Sequence, residues 1–152
     1  MLSGWKLSGI YRRSSGAPLT ITTNVDRQLS GTSGQRVNML NTEPYGDTGS
    51  LNNYFSSTAF NGTTSLPALG TLGNLGKFSL FGPGFFQLDS AVSRVIRIRE
   101  RQSVELRGEA FNLSNSFRRG NPGTNISTAN TFNRILSAGD PRIMQFAVKY
   151  VF

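Results

Sequence analysis

The chain has 152 residues, of which 37% are hydrophobic, and carries a net charge of +8 from 16 Lys and Arg against 8 Asp and Glu. It contains no Cys, which excludes disulfides and thiolate metal sites, and no His, which removes the commonest general base and the usual catalytic triad. No run of about 18 apolar residues exists, so no membrane-crossing helix is expected, while 17 Gly and abundant Ser, Thr and Asn favour strands and loops.

Residues 4–13 alternate: Trp5, Leu7, Gly9 and Tyr11 fall on one face, and Lys6, Ser8, Ile10 and Arg12 on the other, Ile10 breaking the pattern. Residues 18–23 are again strand-like through their β-branched side chains. The two segments form one long kinked strand or a hairpin; Ser14-Ser15-Gly16 has the composition of a bulge and Pro18 suits a strand edge, which favours one long strand over residues 4–23. Residues 24–84 show no sustained period and carry Pro44, Pro67 and Pro83 as breakers. Within them Asn53-Tyr54-Phe55 and Thr58-Ala59-Phe60 are aromatic islands suited to pinning the loop onto itself or onto a rim. A loop of about 60 residues is too long for a compact soluble domain unless it has a task.

Residues 85–98 alternate, with Phe86, Leu88, Ser90, Val92, Arg94, Ile96 and Ile98, mostly apolar, on one face and Gln87, Asp89, Ala91, Ser93, Val95 and Arg97, mostly polar or small, on the other. Arg94 falls on the apolar face, so it is expected to snorkel towards an interface or to lie past a bulge. A tight turn is expected at Arg99-Glu100-Arg101. The surrounding cluster of Arg94, Arg97, Arg99 and Arg101 reads as a solvated turn or rim. Residues 102–113 follow, with Val104, Leu106, Gly108 and Ala110 opposed to Ser103, Glu105, Arg107 and Glu109. Charges of alternating sign on one face suit a wet interior, where they meet charges on neighbouring strands. They equally suit the solvent face of a soluble sheet. Residues 114–141 form a second loop with turn signals at Asn121-Pro122-Gly123 and Gly139-Asp140-Pro141.

The last strand, residues 142–152, is the most informative. Met144, Phe146, Val148, Tyr150 and Phe152 repeat at two-residue spacing, with Gln145, Ala147, Lys149 and Val151 between them. Eleven residues span about 36 Å, which at a tilt of about 45° covers about 25 Å, the height of the apolar band of an outer-membrane barrel. Long connections alternate with a short one, as short inner turns and long external loops do in such barrels. The expected fold is therefore all-β: an antiparallel transmembrane β-barrel fragment of about four long strands with two long external loops. Met144, Phe146, Val148, Tyr150 and Phe152 are assigned to lipid, and Glu105, Arg107, Glu109 and Lys149 to the lumen.

Several segments resemble one family. Gly4-Trp5-Lys6-Leu7-Ser8-Gly9-Ile10 with Ser15-Gly16-Ala17-Pro18-Leu19-Thr20 is similar to the opening of the C-terminal segment of TonB-dependent outer-membrane receptors. The Oar-like group, whose full-length members carry a carboxypeptidase-regulatory-like N-terminal domain, matches most closely. Gly82-Pro83-Gly84-Phe85-Phe86-Gln87-Leu88-Asp89 resembles that group's approach to a late strand, and Arg101 with Glu109-Ala110-Phe111-Asn112 and Asn115 resembles its next strand and loop entry. Residues 137–147 resemble its closing strand, with Phe152 in the place of the terminal assembly signal. The resemblance spans essentially the whole chain. It implies a barrel of about 22 strands closed around a plug, in the outer membrane of a Gram-negative-type bacterium. It implies as partners lipid, the barrel-assembly machinery, the remaining strands and plug, and TonB through an N-terminal part.

Residues 1–152 carry no plug, TonB box or regulatory-like domain, and Met1-Leu2-Ser3-Gly4-Trp5-Lys6 does not begin a signal peptide. A fragment, or a frame opened at an internal Met, is expected, inactive as a transporter alone. No enzyme activity and no cofactor are expected: Asp89, Glu105 and Glu109 lack acid–base pair spacing, and Gly73-Asn74-Leu75-Gly76-Lys77 lacks the P-loop pattern. Two other classes fit parts of the chain. A secreted or surface-attached adhesive β protein differs only in whether the apolar face meets lipid. A nucleic-acid-binding β domain would cluster aromatics with Arg on one face, whereas the aromatics of the last strand segregate from Lys149, so no nucleic-acid partner is expected.

Overall fold

The computed structural model describes residues 4–152; residues 1–3, part of the stretch read as lacking a signal peptide, lie outside the described residues. Strands occur in the order β1 (Trp5–Ser14), β2 (Pro18–Leu19), β3 (Thr22–Thr23), β4 (Gln35–Arg36), β5 (Leu80–Phe81), β6 (Phe85–Arg99), β7 (Gln102–Phe111) and β8 (Ile143–Val151). One 3-10 turn, Gly62–Ser65, is the sole helical element among the described residues. The chain divides into two units. One comprises residues 4–14, Phe85–Arg118 and Gly139–Phe152; the other comprises Ser15–Gly84 and Arg119–Ala138.

The first unit is a four-stranded antiparallel sheet in the order β1-β6-β7-β8, each long strand bonded to its neighbour in the chain. Its strands are where the two-residue period is strongest. Register fixes which side chains share a face: Trp5, Arg94, Leu106 and Val148 form one cross-strand row, and Leu7, Val92, Gly108 and Phe146 the next. Gly9, Ser90, Ala110 and Met144 form a third. The alternation read from each strand is therefore continuous across the sheet, because a slip of one residue would turn a whole strand inside out. Residues Glu100 and Arg101 make the β6–β7 turn. Both long connections leave from the opposite end, after Ser14 and after Phe111. β8 is nine residues long rather than eleven. It spans about 30 Å, or about 21 Å of height at a tilt of about 45°, somewhat short of the full band.

The expectation of one long strand over residues 4–23 is overturned. β1 ends at Ser14, and residues 18–23 pair elsewhere, β2 with β5 and β3 with β4. Gly16 is the reason: its backbone runs so close to Gly82 that a Cβ would stand 1.6 Å from the Gly82 carbonyl oxygen. The Gly82 N–H donates to the Ala17 carbonyl at 2.9 Å. The glycine marks a backbone crossing, not a kink within a strand.

The second unit gives the long connections a structure of their own. Ile21, Val37, Tyr54, Phe55, Ala59, Phe60, Leu75, Leu80, Ile126 and Ile135 form its buried cluster. Both aromatic islands lie inside it, with Tyr54, Phe55 and Phe60 in successive edge-to-face contacts at 5.3 and 6.1 Å. The loop is thus pinned onto itself. The two connections are also stitched to each other. The Thr22 N–H donates to Thr124, the Ile126 N–H to Thr22 and the Ile135 N–H to Leu51. Asn133, in the left-handed region at φ 63°, presents its side-chain amide to Phe55 like a strand neighbour. Its Oδ1 accepts the Phe55 N–H, and its Nδ2 donates to the Phe55 carbonyl at 2.8 Å. A buried irregular segment must satisfy its peptide groups somehow, and side-chain amides do so here.

Candidate membrane-facing and polar faces of the sheet

The apolar side of the sheet is exposed. Phe146 is 82%, Leu7 80%, Val148 72% and Phe152 91% accessible. Met144 and Tyr150 are also exposed, and Tyr150 stacks on Phe152 at 6.0 Å between ring centroids. The structure therefore brings the assigned residues of β8 onto one side and continues that side through Val104, Leu106, Val92, Leu7 and Trp5. The Phe146 ring lies across Gly108, where an added Cβ would stand 3.5 Å from it; Val92 closes the other side at the same distance. Gly108 thus receives neighbouring side chains where it has none. A contiguous apolar face of this kind is not stable against water, since each large side chain left exposed forgoes about 1.5–3 kcal/mol.

Arg94 is on this face, opposite Trp5 and Leu106. The β6–β7 irregularity lies between Arg97 and Arg99, so Arg94 precedes the bulge rather than following it. Its guanidinium stands 5.2 Å from the Trp5 ring centroid. A cation over an indole face is tolerable at an apolar boundary.

The other side carries Glu105, Arg107, Glu109 and Lys149, as the alternation requires. Their pairing differs from the expectation of partners on opposing strands. Glu105 and Lys149 are register neighbours, yet the ion pair that forms runs along β7, from Arg107 Nη2 to Glu109 Oε1 at 2.7 Å. Alternate residues of one strand lie on the same face, and long side chains bridge that distance without help from β8.

A second polar cluster on the same unit was not anticipated. Arg12 pairs with Asp89 at 3.2 Å. Asp89 Oδ1 accepts from Gln87 Nε2 at 2.6 Å and from the Asn112 N–H at 2.8 Å. Arg118 Nη1 donates to Gln87 Oε1 at 2.7 Å. Asn112 is 2% exposed and left-handed at φ 52°, and its Oδ1 accepts the Ser116 N–H, ending β7 and turning the chain. Five residues from four stretches of sequence meet here. The only local signal was an isolated Asp on an otherwise ordinary strand.

The sheet is mainly apolar on one side, with Arg94 set into it, and mainly charged and hydrogen-bonded on the other, where Ile10, Val95 and Val151 also lie. Among the described residues no cluster of His, Cys, Asp or Glu is suited to a metal ion. A family model described as an outer membrane beta barrel domain matches residues 1–145. No curated protein matches the chain, and no solved structure does.

Proposed function

The chain belongs to the outer membrane beta barrel domain family, and we propose that within it this segment is the C-terminal part of a TonB-dependent receptor of the Oar-like group. Its four-stranded sheet is barrel wall. On this reading Met144, Phe146, Val148, Tyr150 and Phe152 meet lipid. Glu105, Arg107, Glu109 and Lys149 face a lumen filled by water and a plug. The two joined connections lie outside the cell, where they take part in binding or uptake of a substrate. The partners are outer-membrane lipid of a Gram-negative-type bacterium, the barrel-assembly machinery acting on β8, the remaining strands and plug, and TonB. The segment carries no catalytic residue and is no transporter by itself.

The observation that supports this most is the register. One mainly apolar face, with Arg94 set into it, runs over four strands, while both long connections leave from the same sheet end and fold together. Among the described residues β1 and β8 are the edge strands of the sheet, each bonded to one neighbouring strand. Such edges invite further strands, which a barrel supplies. The receptor assignment rests on the ordered motifs in residues 4–20, 82–89, 101–115 and 137–147.

Fractionation of cells expressing the full-length protein tests the reading. It should sediment with the outer membrane, run with heat-modifiable mobility, and cross-link to TonB. Recovery as a folded monomer in buffer without detergent overturns the membrane reading. Outer-membrane recovery with no TonB adduct overturns the receptor assignment and leaves the barrel.

A further inference from the structure

The second unit contains a cleft of about 450 Å³ beside β3 and β4. Gly73 shapes one wall. A Cβ there would lie 2.4 Å from the Arg36 and Val37 carbonyl oxygens, so only glycine lets residues 72–78 run this close to β4. The Leu75 N–H then bonds to the Val37 carbonyl at 3.1 Å. Beside it Gln35, buried at 5%, ties down residues 26–32: its Oε1 accepts the N–H groups of Arg27 and Gln28. Its Nε2 donates to Asp26, Ser30 and Thr32. The frame is therefore fixed by interactions already complete.

The groups facing the cleft are different. Its two charges, Arg36 and Lys77, are both cationic, and no carboxylate lines it among the described residues. Neither forms an ion pair: Arg36 makes one long bond to the Leu75 carbonyl at 3.4 Å, and Lys77 Nζ stands 5.2 Å from the Phe78 ring centroid. Asp26, the acid bonded to this wall, is spent on Gln35, Ser30 and Gly31. Thr22 and Gln28 add a hydroxyl and an amide with no hydrogen bond of their own among the described residues.

The lip is aromatic. Phe78 lies in the left-handed region at φ 56°, a conformation costly for a bulky residue. Its N–H donates to Thr20 Oγ1 at 2.7 Å, which fixes that turn, and its ring remains 56% exposed. Lys77 Nζ lies over this ring as a cation–π contact, and the rest of the ring stays open on a strained backbone that the hydrophobic effect does not favour.

Two cations on one cleft with no carboxylate beside them among the described residues, uncommitted polar side chains and a partly open ring describe one ligand chemistry. The geometry points to a site for an acidic sugar. Arg36 and Lys77 take its carboxylate or phosphate, Thr22 and Gln28 its hydroxyls, and Phe78 the apolar face of its ring. This rests on the receptor reading above, in which the second unit lies outside the cell.

The test uses the full-length protein purified from outer membranes in detergent, titrated calorimetrically with glucuronate, glucose 6-phosphate and glucose. Binding of either acidic sugar, with glucose at least about tenfold weaker, is expected, since each charge-assisted contact is worth about a tenfold to hundredfold change in affinity. Which acid binds tighter identifies the anion. Arg36→Gln and Lys77→Gln should each weaken binding by about tenfold or more, and Phe78→Leu should weaken all sugars alike. An unchanged limited-proteolysis pattern over residues 15–84 certifies the fold of the second unit in each variant, and retained heat-modifiable mobility that of the barrel. Equal binding of glucose and its acids, no binding of any, or variants that bind as the parent does, in a protein correctly placed in the outer membrane, overturns the site alone. A protein absent from the outer membrane overturns the reading beneath it.

Discussion

The sheet and the connections are built on opposite plans. The sheet has strict register and almost no interior, with its largest side chains turned outward. The connections have little regular structure, yet they enclose Phe55 and Val37 completely. One region obtains its stability from what surrounds it and the other from itself. Period and burial are therefore separate properties: a chain can be perfectly patterned and unburied, or unpatterned and well packed.

The sharpest way to break this contrast is in the second unit. Phe55→Ala should cost that unit about 3–5 kcal/mol, as truncation of a buried Phe does. Limited proteolysis of whole cells should then cut residues 15–84 rapidly while outer-membrane levels of the full-length protein hold. Loss of the whole barrel instead would show that the two regions are not energetically separate. Next is Phe146→Arg, which places a charge on the lipid side at a cost of about 2–4 kcal/mol near midplane. Outer-membrane levels should fall sharply, whereas Lys149→Glu on the other side should leave them unchanged. Equal tolerance would refute the face assignment.

A smaller effect is expected at Asn133. Asn133→Ala leaves the Phe55 N–H and carbonyl without partners in a buried place, at about 1–3 kcal/mol. Proteolysis should accelerate, less than for Phe55→Ala. The smallest concerns Asp26, whose carboxyl is held below the ordinary 3.8 by the Gln35 side chain first and the Gly31 N–H second. Its ionised form is favoured by folding, so that contribution is present above pH 3.8 and is lost as pH falls below it through the lowered value. Protease sensitivity near Gln35 should rise only in that acid window, and Asp26→Asn should flatten the dependence.

The sheet was legible because each of its strands carries its own evidence. Trp5, Leu7 and Tyr11, or Met144 through Tyr150, declare a face without reference to any other segment. β1's end was misread because the decisive fact, the approach of Gly16 to Gly82, joins residues far apart in sequence. The same holds for Asn133 on Phe55, for Arg12, Gln87 and Arg118 around Asp89, and for the union of the two connections. Tyr54 and Phe60 signalled that a core existed there. Nothing local said that Ile126 and Ile135 would complete it. The Arg107–Glu109 pair shows the converse error, since a partner was sought on the next strand when one lay two residues away.

The central claim is that the two sides of β8 meet different solvents. This segment has no Cys, and single cysteines introduced at residues 144–151 of the full-length protein, with any Cys elsewhere replaced by Ser, can each carry a nitroxide label in reconstituted membranes. Collisional relaxation by oxygen, which partitions into lipid, should peak at 144, 146, 148 and 150. Relaxation by a water-soluble nickel chelate should peak at 145, 147, 149 and 151. Two profiles that rise and fall together, with no two-residue period, would contradict it.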